Sequence, residues 1–177
     1  LWVRKMLANG VHLFTATGAV WGFLTLLAIW EQNFKLAIVY VIVAMFVDGF
    51  DGMLARWFDV KNYAKGIDGG LMDNIIDYLN YVVVASLLMI KVPGLLPQGF
   101  EMACAISILL TSGFQFSQTD AKTDDQSYFF KGFPSVWNFL VIYMMLLGLN
   151  PWINLAAVVI CNILIFVPVK YLYPTRN

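Results

Sequence analysis

Apolar residues in this chain come in long runs instead of alternating with polar ones. Six largely apolar stretches cover about residues 11–30, 34–56, 70–90, 101–119, 134–149 and 151–170. A helix of about 20 apolar residues crosses the hydrocarbon of a bilayer. Helices also satisfy every backbone polar group internally, which lipid cannot do for them. The pattern therefore predicts an all-α, polytopic membrane protein with six transmembrane helices, folded as one domain over 1–177. The breaks between runs are legible as turns. Glu31-Gln32-Asn33 closes the first run, and the polar stretch Asp59 to Asp68 separates the second from the third. Pro93-Gly94 and Pro97-Gln98-Gly99 turn the chain after the third, Asp120 to Lys131 forms the most polar loop, and Asn150-Pro151 joins the last two. Residues 1–10 carry Trp2, Arg4 and Lys5 and predict a short interfacial helix ahead of the first span. No internal repeat or low-complexity segment is visible.

Composition sharpens this picture. The 177 residues are 60% hydrophobic and only 12% charged, against about a quarter charged in soluble domains. Net charge is zero, so there is no electrostatic footprint for nucleic acid. Cys104 and Cys161 lie inside apolar runs and read as buried, reduced thiols. The sequence opens on Leu1 instead of Met, which leads us to expect residues upstream. The apolar runs recur throughout, so the first is not read as a cleaved signal peptide. Basic residues set the orientation. Arg4, Lys5, Arg56, Lys61, Lys65, Lys122, Lys131, Lys170 and Arg176 fall on one side of the six spans, and only Lys35 and Lys91 on the other. The positive-inside rule then places both termini and the 56–69 connection in the cytoplasm.

The acidic residues are the anomaly. Asp48 and Asp51 end the second apolar run, and Asp73 and Asp77 open the third. A carboxylate at membrane depth costs on the order of 2.5–3.5 kcal/mol even on lenient insertion scales. The pairs are spaced i,i+3 and i,i+4, so each pair shares one helix face, and the intervening loop returns the chain so that the two faces can meet. Four carboxylates as hard oxygen donors suit Mg²⁺, Mn²⁺ or Ca²⁺ better than zinc. Helix capping in the headgroup layer is the structural alternative. A cation channel or carrier is the functional one, although its polar groups should extend through the whole membrane depth.

The aspartates belong to a longer pattern: Asp48-Gly49-Phe50-Asp51-Gly52-Met53-Leu54-Ala55-Arg56, twelve residues, then Gly69-Gly70-Leu71-Met72-Asp73-Asn74-Ile75-Ile76-Asp77. This resembles the signature of the CDP-alcohol phosphotransferase family, D-x-x-D-G-x-x-A-R, a spacer, and G-x-x-x-D-x-x-x-D. All eight fixed positions match: Asp48, Asp51, Gly52, Ala55, Arg56, Gly69, Asp73 and Asp77. The resemblance implies six membrane helices with the motif on the second and third. It also implies transfer of a phosphatidyl or phosphoalcohol group from a CDP-linked donor to an acceptor hydroxyl, with release of CMP. Two ions of Mn²⁺ or Mg²⁺ would be held by Asp48, Asp51 and Asp73, with Asp77 a further ligand or the base that takes the acceptor's proton. Asp48, Gly52, Ala55, Arg56 and Gly69 would face the nucleotide, together with Thr15 on the first span. The absence of side-chain bulk at Gly52 lets a flat nucleotide approach the backbone, and Arg56 offers a forked donor set to phosphate. A homodimer in a bacterial inner membrane, with the active site facing the cytoplasm, is the expected setting.

The twelve-residue spacer, Trp57 to Asp68, is longer than the eight residues commonest in the family. It is similar to that of a bacterial branch whose donor is CDP-diacylglycerol and whose acceptor is choline. The segments Val11-His12-Leu13-Phe14-Thr15-Ala16, Leu71 to Tyr81 and Phe130 to Asn138 point the same way. Choline's quaternary ammonium cannot donate a hydrogen bond, so aromatic faces are its natural partners, each worth about 0.5–2 kcal/mol. Tyr78, Tyr81 and Trp137 are the candidates, with Tyr81 placed i+4 from Asp77, and Tyr143 is a further one; ordinary packing is the alternative for each. Phosphatidylserine or phosphatidylglycerophosphate synthesis keeps the chemistry with an anionic acceptor. That pocket should hold extra basic residues, and the third span has none between Asp73 and Ile90. His12, the single histidine, reads either as a satisfied interfacial residue or as a contact to donor phosphate. Asn80 and Asn138 read as interhelical hydrogen-bond formers. Lys61, Lys65, Lys122 and Lys131 either draw anionic headgroups or simply fix topology.

Overall fold

The computed structural model describes residues 2–118, 129–167 and 170–172. Most of the polar loop from Asp120, with Lys122, Asp124 and Asp125, lies outside the described residues, as does Arg176. The fold is all-α, as expected. Three helices are long and apolar enough to cross a membrane: Trp2–Trp30, Phe34–Trp57 and Gly69–Lys91. Three shorter apolar helices follow, Glu101–Phe116, Trp137–Leu147 and Pro151–Phe166. Large side chains such as Leu13, Phe46, Leu110, Leu146 and Trp152 point outward. In water this would be a liability; on an integral membrane protein it is the surface that lipid covers.

The chain packs as two compact units, Leu1–Asn80 and Tyr81–Asn177. In the first, α1 (Trp2–Trp30) and α2 (Phe34–Trp57) lie against each other along their length. From Trp2 on, the predicted interfacial segment is continuous with the first span in α1. The turn between α1 and α2 uses Gln32 at φ 58°, and the Asn33 side chain caps α2 by accepting from the Leu36 N–H at 3.2 Å. Two elements follow: α3 (Val60–Tyr63), a single turn, and α4 (Gly69–Asp77), capped by Asp68 through the Leu71 N–H at 3.0 Å. The spacer read as merely polar thus contains a short helix. Val60 and Ala64 pack with Ala8 and Val11 of α1, flanked by Leu54, Ala55, Phe58 and Tyr63. The first turns of α1 are held there too, by Arg4 donating to the Tyr63 hydroxyl at 3.0 Å.

Small residues set the approach of α1 to α4. A Cβ at Gly18 would lie 2.8 Å from Ile76 Cγ2, and one at Gly22 would lie 2.5 Å from Asn80 Oδ1. The Asn80 amide donates to the Gly18 carbonyl at 3.1 Å in a buried position. Glycines spaced by four let helix backbones close on each other where no water drives them together. Asn80 therefore has the interhelical role expected of it.

Past Asp77 the helix widens into a π-helical segment, Tyr78–Val83, and continues as α5 (Val84–Lys91). In the second unit α5 packs on α6 (Glu101–Phe116) and α7 (Trp137–Leu147), and α6 packs on α8 (Pro151–Phe166). Polar side chains join α6 to α8: Thr111 donates to Asn162 Oδ1 at 2.7 Å, and Asn162 donates to the Ser107 hydroxyl at 3.2 Å. The fifth run becomes helical only at Trp137, later than the expected 134. Pro134 disfavours helix in the residue before it, and Ser135 is held at φ 53° by hydrogen bonding to Gln115. Gly132 sits at φ 83°, where an added Cβ would collide with the Ile165 carbonyl. Two three-residue strands, β1 (Phe129–Lys131) and β2 (Lys170–Leu172), pair antiparallel and pin the two ends of this region. Cys104 and Cys161 are free thiols.

Candidate active site

The motif places its side chains at the end of α2 and the start of α4, both in the first unit. One carboxylate oxygen each from Asp48, Asp73 and Asp77 lies within 4.8 Å of the others, and all three residues are partly exposed. The i,i+4 spacing stacks Asp73 and Asp77 on one face of α4, and Asp48 completes the group from α2. Three hard oxygens at this separation, open to incoming water or phosphate, fit a divalent cation of the Mg²⁺ or Mn²⁺ type. Asp51 is placed differently. It is buried at 8% exposure, beside the Thr15 hydroxyl and the Gly52 backbone N–H, and interacts with Asp73 and Asp48 through their charge.

A cavity of about 860 Å³ adjoins this cluster. Asp73 belongs to both. Of the residues expected to face a nucleotide, Gly52, Ala55, Arg56, Gly69 and Thr15 line the cavity along with Asp51, while Asp48 belongs to the carboxylate group only. A Cβ at Gly52 would meet nothing within 4 Å, so this glycine opens directly onto cavity space. The twelve-residue spacer supplies much of the remaining wall, including Lys61 and Lys65. In the sequence those lysines read equally as headgroup attractors or topology markers. The missing signal was the apolar set Val60, Tyr63 and Ala64, whose i,i+3,i+4 spacing folds the spacer back beneath α1.

The three aromatic candidates separate. Tyr78 follows Asp77 directly and is half-buried. Tyr81 was aligned with Asp77 by α-helical i+4 spacing, but the intervening segment is π-helical, where that periodicity does not hold; its ring stacks on Phe139 at 6.2 Å. Trp137 is fully buried, packs edge-on against Phe133 at 5.1 Å, and donates its indole N–H to Ser112 at 2.8 Å. No face of Trp137 is open to a ligand, so the structure corrects its assignment from choline contact to core residue. Tyr143 is exposed.

An acidic triad adjoins a cavity whose wall carries the cations Arg56, Lys61 and Lys65 together with further carboxylates, on an all-α membrane scaffold. The sequence matches the CDP-alcohol phosphatidyltransferase family over residues 5–168, and the chain belongs to that family. Among its relatives, it is similar to the phosphatidylcholine synthase of Legionella pneumophila, 42% identical over 166 residues, which are 94% of this chain and 64% of that protein. It is also similar to the phosphatidylcholine synthases of Borreliella burgdorferi and Pseudomonas aeruginosa. Each is 37% identical over 175 residues, covering 99% and 98% of this chain and 74% and 72% of theirs. The chain thus spans less than two thirds of the Legionella protein's length.

Proposed function

We propose that this protein transfers the phosphatidyl group of CDP-diacylglycerol to choline, forming phosphatidylcholine and CMP. One observation carries the chemistry: three carboxylates within 4.8 Å of one another border a cavity lined by Gly52, Ala55, Arg56 and Gly69. The identity of the acceptor is supported by the relatives named above and by the aromatic residues that follow Asp77. Asp48, Asp73 and Asp77 would hold Mn²⁺ or Mg²⁺, with Asp51 available for a second ion. When bound, the metal neutralises charge on the diphosphate and on the departing CMP. Arg56 and Lys61 bind phosphate oxygens, and the open face at Gly52 admits the nucleotide. The choline hydroxyl attacks the phosphorus bearing the diacylglycerol. Its proton passes to the Asp77 carboxylate as the bond from that phosphorus to the CMP oxygen breaks. Tyr78, which follows Asp77 directly, is the ring we assign to the quaternary ammonium, with Tyr81 as the further candidate.

The orientation belongs to the same proposal. Nine basic residues against two support a site and termini on the cytoplasmic side of a bacterial inner membrane, and a homodimer is the expected assembly. One observation favours a second reading. Lys61 and Lys65 line the cavity, which would suit an acceptor carrying a carboxylate or phosphate, such as serine or glycerol phosphate. The deciding test is product formation. Purified full-length protein with CDP-diacylglycerol, Mn²⁺ and labelled choline should yield labelled phosphatidylcholine and CMP in equal amounts, and EDTA should stop both. Failure to label lipid from choline, while serine or glycerol phosphate is incorporated, would overturn the acceptor assignment.

A further inference from the structure

We infer that His12 is a nucleotide-contacting residue of the donor site, and that Gly69 is a glycine in order to seat it. The inference rests on the reading of the cavity as the site of the CDP-linked donor. His12 lies on α1, one turn before Thr15, and is 6% exposed. It lines the cavity with Thr15, Asp51, Arg56 and Gly69. Among the described residues its Nε2 is buried without a hydrogen-bond partner, a condition shared only with Asn138 Nδ2 and Asn154 Oδ1. Native structures rarely leave such an atom unsatisfied. The two asparagines lie within packed helices of the second unit, whereas His12 borders open space. Among the described residues no group meets Nε2, and the cavity that the ring lines is where a partner for it would sit.

The surroundings indicate the chemistry. Arg56, Lys61 and Lys65 share the cavity wall with the carboxylates of Asp51, Asp59, Asp68 and Asp73; the Thr15 hydroxyl is hydrogen-bonded to Asp51, and the three cations are the donors that fit phosphate oxygens. With its proton on Nε2, His12 adds one more donor to that set. The ring is also held in place. A Cβ added at Gly69 would lie 3.0 Å from His12 Cε1 and 3.5 Å from Nδ1, so the motif glycine at the start of α4 leaves room for the imidazole. Gly69 then acts through His12 as a positioning residue.

The probe is CMP, its binding to the full-length protein measured at equilibrium with Mn²⁺ present and without turnover. His12→Phe keeps the ring and removes both nitrogens; it should weaken CMP binding by about tenfold, the scale of one hydrogen bond to a charged group. His12→Gln, whose amide nitrogen reaches the place of Nε2, should retain binding to within about threefold on the same scale. Gly69→Ala should weaken CMP binding in the wild-type background and have no further effect beside His12→Ala, where the ring it would press on is gone. The KM for CDP-diacylglycerol should follow CMP affinity, while the KM for choline stays unchanged. If His12→Phe fails to fold, the contrast between His12→Gln and His12→Ala carries the test. Wild-type CMP affinity in His12→Phe or His12→Ala, or an equal cost of Gly69→Ala in both backgrounds, overturns the inference. Wild-type protein that binds CMP but makes no phosphatidylcholine removes the choline reading and leaves His12 in place. Absence of CMP binding to the wild type overturns both.

Discussion

Gly22→Ala should loosen the seam on which the site is built. Gly22 is buried in α1, and the new Cβ would lie 2.5 Å from Asn80 Oδ1 and 3.0 and 3.1 Å from Leu79 Cδ2 and Cγ. Overpacking of this kind costs about 1–3 kcal/mol. Moving the Asn80 side chain also disturbs its buried hydrogen bond to the Gly18 carbonyl, worth about 0.5–1.5 kcal/mol. Higher helix propensity returns at most about 1 kcal/mol. The net destabilisation is therefore about 1–3 kcal/mol, which for a chain of this size lowers the unfolding midpoint by roughly 2–12 °C. The same seam sets His12 and Thr15 of α1 against the helix that carries Asp73 and Asp77, so CMP affinity should fall with stability. The assay is the fluorescence-detected unfolding midpoint in detergent, with CMP binding measured on the same preparation. Gly10→Ala is the control, because a Cβ there meets nothing within 4 Å on the same helix; it should be neutral or slightly stabilising. A Gly22→Ala protein with the wild-type midpoint and CMP affinity, or a Gly10→Ala protein destabilised as much, would refute the close α1–α4 packing.

Asp77→Asn should lower turnover by 10²-fold or more, the scale of a lost general base, while CMP binding persists; wild-type rates in a kinetic assay would remove Asp77 from the chemistry. Tyr78→Ala and Tyr81→Ala should each raise the KM for choline by about 2- to 30-fold, the range of one cation–π contact. The corresponding Phe variants should stay near wild type, and an unchanged KM in an Ala variant would exclude that ring. Trp137→Phe loses the indole hydrogen bond to Ser112 and should cost about 1 kcal/mol in stability with the choline KM unchanged; a raised KM at full stability would return Trp137 to the pocket. Gly52→Ala fits the fold, since nothing lies within 4 Å of its Cβ. Any loss of CMP binding there, with an unchanged unfolding midpoint, reports a ligand against that wall, and unchanged binding would deny it.

The membrane class and the acid pairs were legible because both are periodic. Apolar runs of span length announce helices, and i,i+3 and i,i+4 acids announce a shared face. The starts of α2 and α4 were readable within a residue, where Asn33 and Asp68 cap them, but the end of α4 at Asp77 was not. What was not legible depends on contacts distant in sequence or on geometry finer than helix periodicity. The one-turn helix α3 shows only a single i,i+3,i+4 apolar set, Val60, Tyr63 and Ala64, inside a polar spacer, yet its surroundings bring Lys61 and Lys65 to the cavity. The late start of α7 depends on Ser135, buried and bonded to Gln115 twenty positions earlier. The π-helical turn at Tyr78–Val83 changes the direction of every residue inferred by α-helical counting, Tyr81 among them. Asp51 looked equivalent to its three companions in sequence, but its burial beside Thr15 sets it apart. His12 could be read two ways until its unpartnered Nε2 and its fit against Gly69 were seen.

Acceptor choice is the most direct test of the proposed activity. Purified full-length protein is given CDP-diacylglycerol, Mn²⁺ and labelled choline, with serine, inositol or glycerol phosphate added in excess, and both labelled lipid and CMP are followed. Choline transfer that proceeds undiminished by all three competitors, with one CMP released per phosphatidylcholine, is the expected result. CMP release driven by serine or glycerol phosphate, with choline left unincorporated, would contradict it.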